Sequence, residues 1–131
     1  MNQSGRYLLD TNIVIAIFAD EVVVQEKRQN VDKAFLPAPA IGELYYGARK
    51  SDRPTENLAK INEIVQQIRI IPCNLGTARW YGIIRDQLRR KGRPIPDNDI
   101  WIAAIAMQRG LILVTRDAHF DEVESLHTEY W

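Results

Sequence analysis

The chain has 131 residues, 46% of them hydrophobic, which is enough for one domain with its own core. Seventeen basic and seventeen acidic residues give a formal net charge of zero, which excludes a protein that coats nucleic acid through a general excess of positive charge. One cysteine and two histidines exclude an internal disulfide and a typical zinc centre. The longest apolar runs, at residues 13–19 and 100–107, are too short to cross a membrane.

The hydrophobic pattern predicts strands and helices that alternate along the chain. In the first half it predicts strands at residues 6–9 and 34–36, with helices from about residue 12, over 21–32 and after Pro39. In the second half it predicts helices over 58–68, 76–92 and 99–108, the last capped by Asp97 or Asn98, and strands at 70–73, 111–115 and 126–131. Cys73 is expected to pack within its strand. The order predicts a single α/β domain over residues 1–131, with a central, mainly parallel sheet of about five strands flanked by helices.

Four acidic residues stand where predicted strands lead into helices. Asp10 ends the first strand, Glu43 lies in the first turn after Pro39, Asp99 opens the apolar helix and Asp117 follows the last apolar strand. In an open parallel sheet such strand ends share one edge, where ligands bind. Four carboxylates brought together repel one another unless a cation lies between them, and Mg²⁺ prefers oxygen ligands. The pattern therefore predicts a Mg²⁺ site, with Mn²⁺ as a possible substitute, and chemistry on phosphates.

Each of these acids also has a purely structural interpretation. Asp10 could cap the first helix, Glu43 could interact with a helix dipole, and Asp117 could be a turn residue. Asp97 or Asp99 could be the N-cap that follows Pro96. Asp97, two residues before Asp99, is either a helix cap or a further metal ligand. The shared sheet edge favours a metal site for the four acids taken together.

A dense basic segment precedes the third acid. Five cations fall within nine residues: Arg85, Arg89, Arg90, Lys91 and Arg93. They form either a solvated helix face or a rim that binds RNA phosphates beside the acidic pocket. Arg116, next to Asp117, is assigned to the same RNA-binding group.

Four segments carry a family resemblance. They are LLDTN at residues 8–12, IGELYYGA at 41–48, DIWIAA at 99–104 and LVTRDAHF at 113–120. In this order and spacing they resemble the motifs of PIN-domain ribonucleases, in particular the VapC toxin family of type II toxin–antitoxin systems. The resemblance covers essentially the whole chain.

The resemblance implies a cytoplasmic, Mg²⁺-dependent endoribonuclease that cuts structured RNA, often tRNA. It implies that Asp10, Glu43, Asp99 and Asp117 are catalytic, that the protein forms a homodimer, and that a VapB-type antitoxin neutralises it. Asn12 and Thr115 are expected to hydrogen-bond the acids or the waters around the metal.

Two other functions compete with this one. A receiver-like signalling domain is also a small α/β domain with an acidic Mg²⁺ site, but it needs two adjacent acids after the first strand and a late lysine. Here Thr11 follows Asp10, and no lysine follows Lys91. A PIN fold used only for RNA binding or partner docking is the second alternative, and a metal-dependent cleavage assay separates it from a nuclease.

Overall fold

A five-stranded, fully parallel sheet forms the centre of the protein in the computed structural model, which describes residues 3–131. Its strands are β1 (Gln3–Leu9), β2 (Val31–Pro37), β3 (Arg69–Ile71), β4 (Ile112–Val114) and β5 (Thr128–Glu129). The helices are α1 (Thr11–Phe18), α2 (Val22–Asn30), α3 (Ala38–Arg49), α4 (Pro54–Gln67), α5 (Leu75–Lys91) and α6 (Asp97–Arg109), with a short 3₁₀ helix at Ala118–Glu122. The predicted fold class is therefore confirmed.

The strand order is β3-β2-β1-β4-β5, so the chain builds outward from β1 on one side and later returns to its other side. β1 is thus flanked by β2 and β4, with Leu8 paired to Phe35 and to Leu113. After β3, the chain adds its next strand, β4, on the other side of β1. This change of side leaves a crevice at the carboxyl ends of β1 and β4, which is where open α/β sheets bind ligands.

Alternation along the strands divides the core into two layers. Tyr7 and Leu9 of β1 pack into one buried cluster with α1, α3 and α4, whereas Leu8 between them packs into a second cluster with α5 and α6. Successive strand side chains point to opposite faces, so a strand covered on both faces is apolar throughout. Helix α6 lies deep in the second layer, because its residues 102–105 are completely buried. The deep burial of α6 holds the first turn of this helix at the edge of the sheet where the strands end.

Several predicted boundaries differ from the structure. The second helix was expected to reach residue 32, but it ends at Asn30, because Val31 is buried and pairs with β1. Helix α6 begins at Asp97, with Pro96 preceding it and no side chain capping its first turn, so the predicted cap by Asp97 or Asn98 is wrong. Cys73 is exposed and follows the end of β3, so its predicted packing in a strand is also wrong.

Helices α5 and α6 end at glycines in the left-handed conformation, Gly92 (φ 68°) and Gly110 (φ 64°). Glycine accepts this conformation without the steric cost of a Cβ atom, which explains the sharp stop of both helices. No helix within residues 3–131 has the length and apolar character that crossing a bilayer requires.

Candidate metal centre

Asp10 lies at the crevice between β1 and β4. It directly follows β1, and its backbone N–H donates to the carbonyl of Val114 at the end of β4, at 3.0 Å. The residue is only 4% exposed. One carboxylate oxygen accepts the backbone N–H of Thr11 at 2.8 Å, and the other accepts the hydroxyl of Thr115 at 2.8 Å. Asp10 therefore both caps α1 and presents a buried carboxylate at the switch point of the sheet.

This burial changes the acidity of Asp10. Desolvation raises the pKa of its carboxyl from 3.8 to about 6, although the hydrogen bonds from Thr115 and Thr11 lower it. The negative charges of Asp99 and Glu43 also contribute to this raised pKa. Burial makes ionisation of this carboxyl unfavourable, so a nearby cation would strongly stabilise its ionised form.

Asp99 lies in the first turn of α6 and is half-buried. Desolvation by burial is the largest cause that raises the pKa of its carboxyl. The hydrogen bond and the charge of His119 lower this pKa, whereas the negative charges of Glu43 and Asp117 raise it. The four predicted acids therefore influence one another directly, as expected for residues that share one sheet edge.

His119 joins two of the acids, and the sequence interpretation missed it. Its Nε2 lies 2.6 Å from a carboxylate oxygen of Asp99, and its Nδ1 lies 2.8 Å from a carboxylate oxygen of Asp117. Ligand atoms of these three residues all lie within 4.8 Å of one another. The signal was available, because the histidine stands two residues after Asp117 in one of the family motifs.

Glu43 is anchored by Asn98, a second residue that the sequence interpretation did not assign to the site. The Asn98 side-chain amide donates to the Glu43 carboxylate and, at 3.1 Å, to the backbone carbonyl of Pro39. Glu43 lies in the second turn of α3, not in the first turn as predicted, because α3 begins at Ala38 and has no acid in its first turn. Asn98 thereby joins the start of α6 to α3.

Asp97 is directed toward α5. Its Oδ1 accepts the hydroxyl of Tyr81 at 2.6 Å and a guanidinium N–H of Arg85 at 3.2 Å. It does not cap α6. Within residues 3–131, the group of potential ligands around His119 does not include Asp97.

The two predicted supporting residues differ in their contacts. Thr115 is buried, donates to Asp10 and accepts the backbone N–H of Asp117 at 3.0 Å, so it links two acids. Asn12 instead accepts the backbone N–H of Arg116 at 3.3 Å, which holds the loop after β4 against α1.

The predicted RNA-binding cations lie on the surface, and most of them have acidic partners. Arg85 pairs with Asp97, Arg89 and Arg90 pair with Asp86, and Lys91 pairs with Glu122. Arg116 is more constrained: its guanidinium binds both carboxylate oxygens of Glu21 and the carbonyl of Trp131. Arg93 is exposed, and among the described residues it forms no ion pair.

An apolar cavity of about 590 Å³ adjoins the acidic site. It lies between α1, α3 and α4, and its walls include Ile15, Phe18, Leu44, Ala48 and Ile61. Glu43 forms part of the wall, so the cavity opens beside one of the four acids. Ile15 is 53% exposed despite its apolar side chain.

The donor set fits a hard divalent cation. Four carboxylates supply the oxygen ligands that Mg²⁺ and Mn²⁺ prefer, and His119 adds nitrogen that Mn²⁺ accepts. Asp10 and Asp99 have pKa values raised mainly by burial, so their ionised forms are costly unless a cation offsets the charge.

The sequence matches the PIN domain family over residues 7–126. This chain belongs to the PIN domain family. The matched region holds all four acids and the strands β2, β3 and β4, together with the last residues of β1. The likeness to PIN domains inferred from the four motifs is thus confirmed.

Within the PIN family the chain is similar to VapC proteins over almost its full length. It is 37% identical to Ribonuclease VapC2 of Haemophilus influenzae over 129 residues, which are 96% of this chain and 98% of the relative. It is also 37% identical, with the same coverage, to the tRNA(fMet)-specific endonuclease VapC of Shigella flexneri. Among solved structures, DNA-bound VapBC from Salmonella typhimurium superimposes with a TM-score of 0.90 at 30% identity, covering 96% of this chain and 98% of that one.

Proposed function

We propose that this PIN-domain protein is a VapC-type endoribonuclease toxin that hydrolyses phosphodiester bonds of RNA and requires a divalent metal. The proposal takes residues 1–131 as one nuclease domain. The observation that carries it is the convergence of Asp10, Glu43, Asp99 and Asp117 at one sheet edge, with the potential ligand atoms of Asp99, Asp117 and His119 within 4.8 Å of one another. The full-length similarity to proteins named as VapC ribonucleases adds independent support.

The acids would hold Mg²⁺, for which Mn²⁺ could substitute. Asp10, Glu43, Asp99 and Asp117 are the proposed ligands, directly or through water; Asp97, which faces α5, is the least well placed of the candidates. When bound, the cation would offset negative charge on the scissile phosphate and favour attack by water.

The chain's own residues would shape this site. Thr115 fixes one oxygen of Asp10, and Asn98 fixes the carboxylate of Glu43. His119 holds Asp99 and Asp117 at a set separation. Asp117, which is partly exposed, would orient the attacking water. Because water and not the ribose 2′-hydroxyl attacks, the expected products end in 5′-phosphate and 3′-hydroxyl groups.

The proposed substrate is structured RNA, with tRNA as the first choice, because a relative 37% identical is named as a tRNA(fMet)-specific endonuclease. The exposed cations of α5 would contact phosphates of that RNA, where they would exchange a protein carboxylate for a phosphate oxygen. Arg116, held by Glu21 and Trp131, is the least free of the proposed RNA-binding residues.

We further propose a VapB-type antitoxin partner, a homodimeric toxin and action in the cytoplasm. Solved neighbours include toxin–antitoxin assemblies named VapBC. The apolar cavity between α1, α3 and α4 suits the apolar face of an amphipathic segment. Since Glu43 lines that cavity, such a segment would reach the acids and could place an arginine among them.

A cleavage assay tests the nuclease proposal. Wild-type protein is expected to cut tRNA when Mg²⁺ is present and not in EDTA, and the products should carry 5′-phosphate ends. Asp99→Asn should abolish cleavage while leaving the fold intact, whereas Asp52→Asn, an exposed aspartate between α3 and α4, should cut like the wild type. Cleavage by Asp99→Asn at the wild-type rate would contradict the assignment, and RNA binding without any cleavage would favour a non-catalytic PIN domain.

A further inference from the structure

A cavity of about 350 Å³ lies between the end of α5 and the start of α6. Its floor is apolar and is formed by Leu88, Ile95 and Ile100, while Arg85, Arg89 and Asp97 stand at its rim. Ligand pockets are commonly of this kind, mostly apolar with a few polar groups that fix orientation, and this volume lies at the small end of their range. The cavity is large enough for one nucleobase.

The cavity lies close to the proposed catalytic acids. Asp97 and Asp99 share the first turn of α6, and Ile100 follows Asp99 directly. Asp97 and Asp99 are two residues apart, so their side chains project about 200° apart around the helix axis. The cavity and the acidic site therefore lie on different sides of the start of α6, with Asp97 facing α5 and Asp99 facing His119. An RNA strand lying across the start of α6 would meet both.

The carboxylate of Asp97 is held in place at this rim. Tyr81 and Arg85 both donate to its Oδ1, at 2.6 and 3.2 Å, and Arg85 also donates to the Tyr81 hydroxyl at 2.6 Å. Tyr81 is itself supported by Trp101, since the two rings stack with centroids 4.2 Å apart. A carboxylate oxygen accepts about two hydrogen bonds, so Oδ1 is saturated and Oδ2 is the acceptor that remains for a ligand.

We propose that this cavity is a nucleobase subsite of the RNA substrate, which reads guanine through the Asp97 carboxylate; the inference rests on the proposed ribonuclease function. The flat base lies on the apolar floor, and its edge faces Asp97. Guanine presents two adjacent donors, N1–H and the 2-amino group, and the two lone pairs of Asp97 Oδ2 can accept both of them. Uracil presents one N–H between two carbonyl oxygens, which the carboxylate repels.

The arginines at the rim would bind the phosphate of the same nucleotide. The side chain of Arg89 is 72% exposed and pairs with Asp86 at 2.6 Å. A surface ion pair of this kind contributes little to stability. Arg89 would therefore lose little free energy if it released Asp86 and bound a phosphate oxygen instead. Arg85 would keep its contact with Asp97 and thereby keep the acceptor in place.

Nuclear magnetic resonance with mononucleotides tests the subsite separately from catalysis. GMP, AMP, CMP and UMP are titrated into the isotope-labelled full chain in EDTA. GMP should shift the backbone amides of residues 92–100 and bind about fivefold or more tightly than UMP, the lower end of the discrimination expected from paired contacts to a base edge. Equal affinities for GMP and UMP, or shifts confined to other regions, would overturn the proposal.

Two matched variants complete the test. Asp97→Asn keeps the size of the side chain but replaces an acceptor by a donor, and it should bring the two affinities to within about a factor of two. Asp86→Asn, another surface aspartate paired with arginines of α5, should preserve the preference. If Asp97→Asn still prefers GMP over UMP, the proposal is overturned. If Asp97→Asn changes only the binding of a partner protein, the cavity belongs to that partner instead.

The outcome is independent of the nuclease test. If the wild type cuts RNA with Mg²⁺ but shows no base preference, only the subsite fails. If GMP binds preferentially and no cleavage occurs under any metal condition, the ribonuclease function fails, and the cavity stands as a nucleotide-binding site.

Discussion

At the scale of single residues, the acidity of Asp10 indicates that its site would favour a bound cation. Its carboxyl is buried at the end of β1, with a pKa raised to about 6, whereas an unfolded chain would ionise it near 3.8. A group with a raised folded-state pKa binds more protons when folded, so its contribution to stability is fully present below pH 3.8 and is lost as pH rises through about 6. The folded protein therefore bears a cost at neutral pH that a bound cation would remove.

Replacing this charge should stabilise the metal-free protein. Asp10→Asn in EDTA at neutral pH is expected to raise the free energy of unfolding by up to about 3 kcal/mol, the equivalent of a shift from 3.8 to about 6. The advantage should vanish below pH 3.8, where both forms are neutral. Denaturant titrations at several pH values measure this, with Asp86→Asn as the control that should bring no gain. An Asp10→Asn protein that is no more stable than the wild type at neutral pH would contradict the account.

Asn98 should matter for metal affinity through Glu43. Asn98→Ala removes the amide that holds the Glu43 carboxylate, and loss of such a supporting hydrogen bond typically weakens metal binding by roughly 10-fold or more. Calorimetric titration with Mn²⁺ measures this directly. Asn62→Ala is the matched control, since Asn62 also bonds a residue of α3, the Tyr45 hydroxyl at 2.7 Å, but not an acid. Equal Mn²⁺ affinity in Asn98→Ala and the wild type would remove Asn98 from the site.

Individual residues were predictable from sequence to different degrees. Asp10 and Asp117 follow from strand ends, because the sheet brings such positions together whatever the loops do. Asp99 was expected at such a position too, but α6 follows helix α5 and not a strand, so its place in the site depends on how α6 packs. His119 and Asn98 did not follow, because their roles depend on side-chain directions that only the packed structure supplies. The contacts of Asn12 and Arg116 were missed for the same reason: each reaches a segment distant in sequence, which local sequence does not reveal.

At the scale of elements, periodicity identified every strand and α-helix of the described chain but not their ends. The helix of residues 58–68 extends back to Pro54, since proline suits a first helical position. Glu43 was expected in the first turn of α3 but is its sixth residue and lies in the second turn. Such shifts are small along the sequence, yet a shift of one turn decides whether an acid caps a helix or faces a neighbouring one.

The basic segment of residues 85–93, at the end of α5 and just after it, supplies a test of RNA binding. Neutralising Arg89 and Arg93 with glutamine should weaken RNA binding in EDTA and flatten its dependence on salt concentration. The logarithmic slope should change by roughly 0.7 for each phosphate of a single strand that the variant no longer neutralises. Filter binding at several salt concentrations measures the slope. The double variant Lys27→Gln/Arg53→Gln removes the same charge from other parts of the surface and should leave the slope unchanged. If both double variants alter the slope equally, α5 is simply a solvated surface.

At the scale of the whole molecule, the acidic site and the apolar cavity share Glu43, so occupation of one should affect the other. A VapB-type antitoxin that places an arginine among the acids would compete with metal. Its affinity should therefore fall as Mg²⁺ rises, which isothermal titration at increasing Mg²⁺ measures. An affinity indifferent to Mg²⁺, with full inhibition retained, would move the inhibitory contact away from the acids.

Two glycines allow the cavity itself to be tested. Gly47 lines the cavity and Gly82 lies on α5; a Cβ atom at either position would meet no other atom within 4 Å. Gly47→Leu should fill the cavity without disturbing the fold and prevent the antitoxin from rescuing growth on co-expression. Gly82→Leu should leave rescue intact. Rescue of both variants alike would place the antitoxin on another surface.

The central claim is that the four acids form one metal site at the switch point of the sheet. A crystal of the protein soaked in Mn²⁺ and measured near the manganese absorption edge locates the ion by its anomalous scattering. We expect a peak at the end of β1, with oxygens of Asp99 and of at least one other of the four acids as ligands. The peak should be absent from an Asp99→Asn crystal soaked in the same way. A wild-type crystal with no peak there, or with Mn²⁺ bound only elsewhere, would contradict this claim.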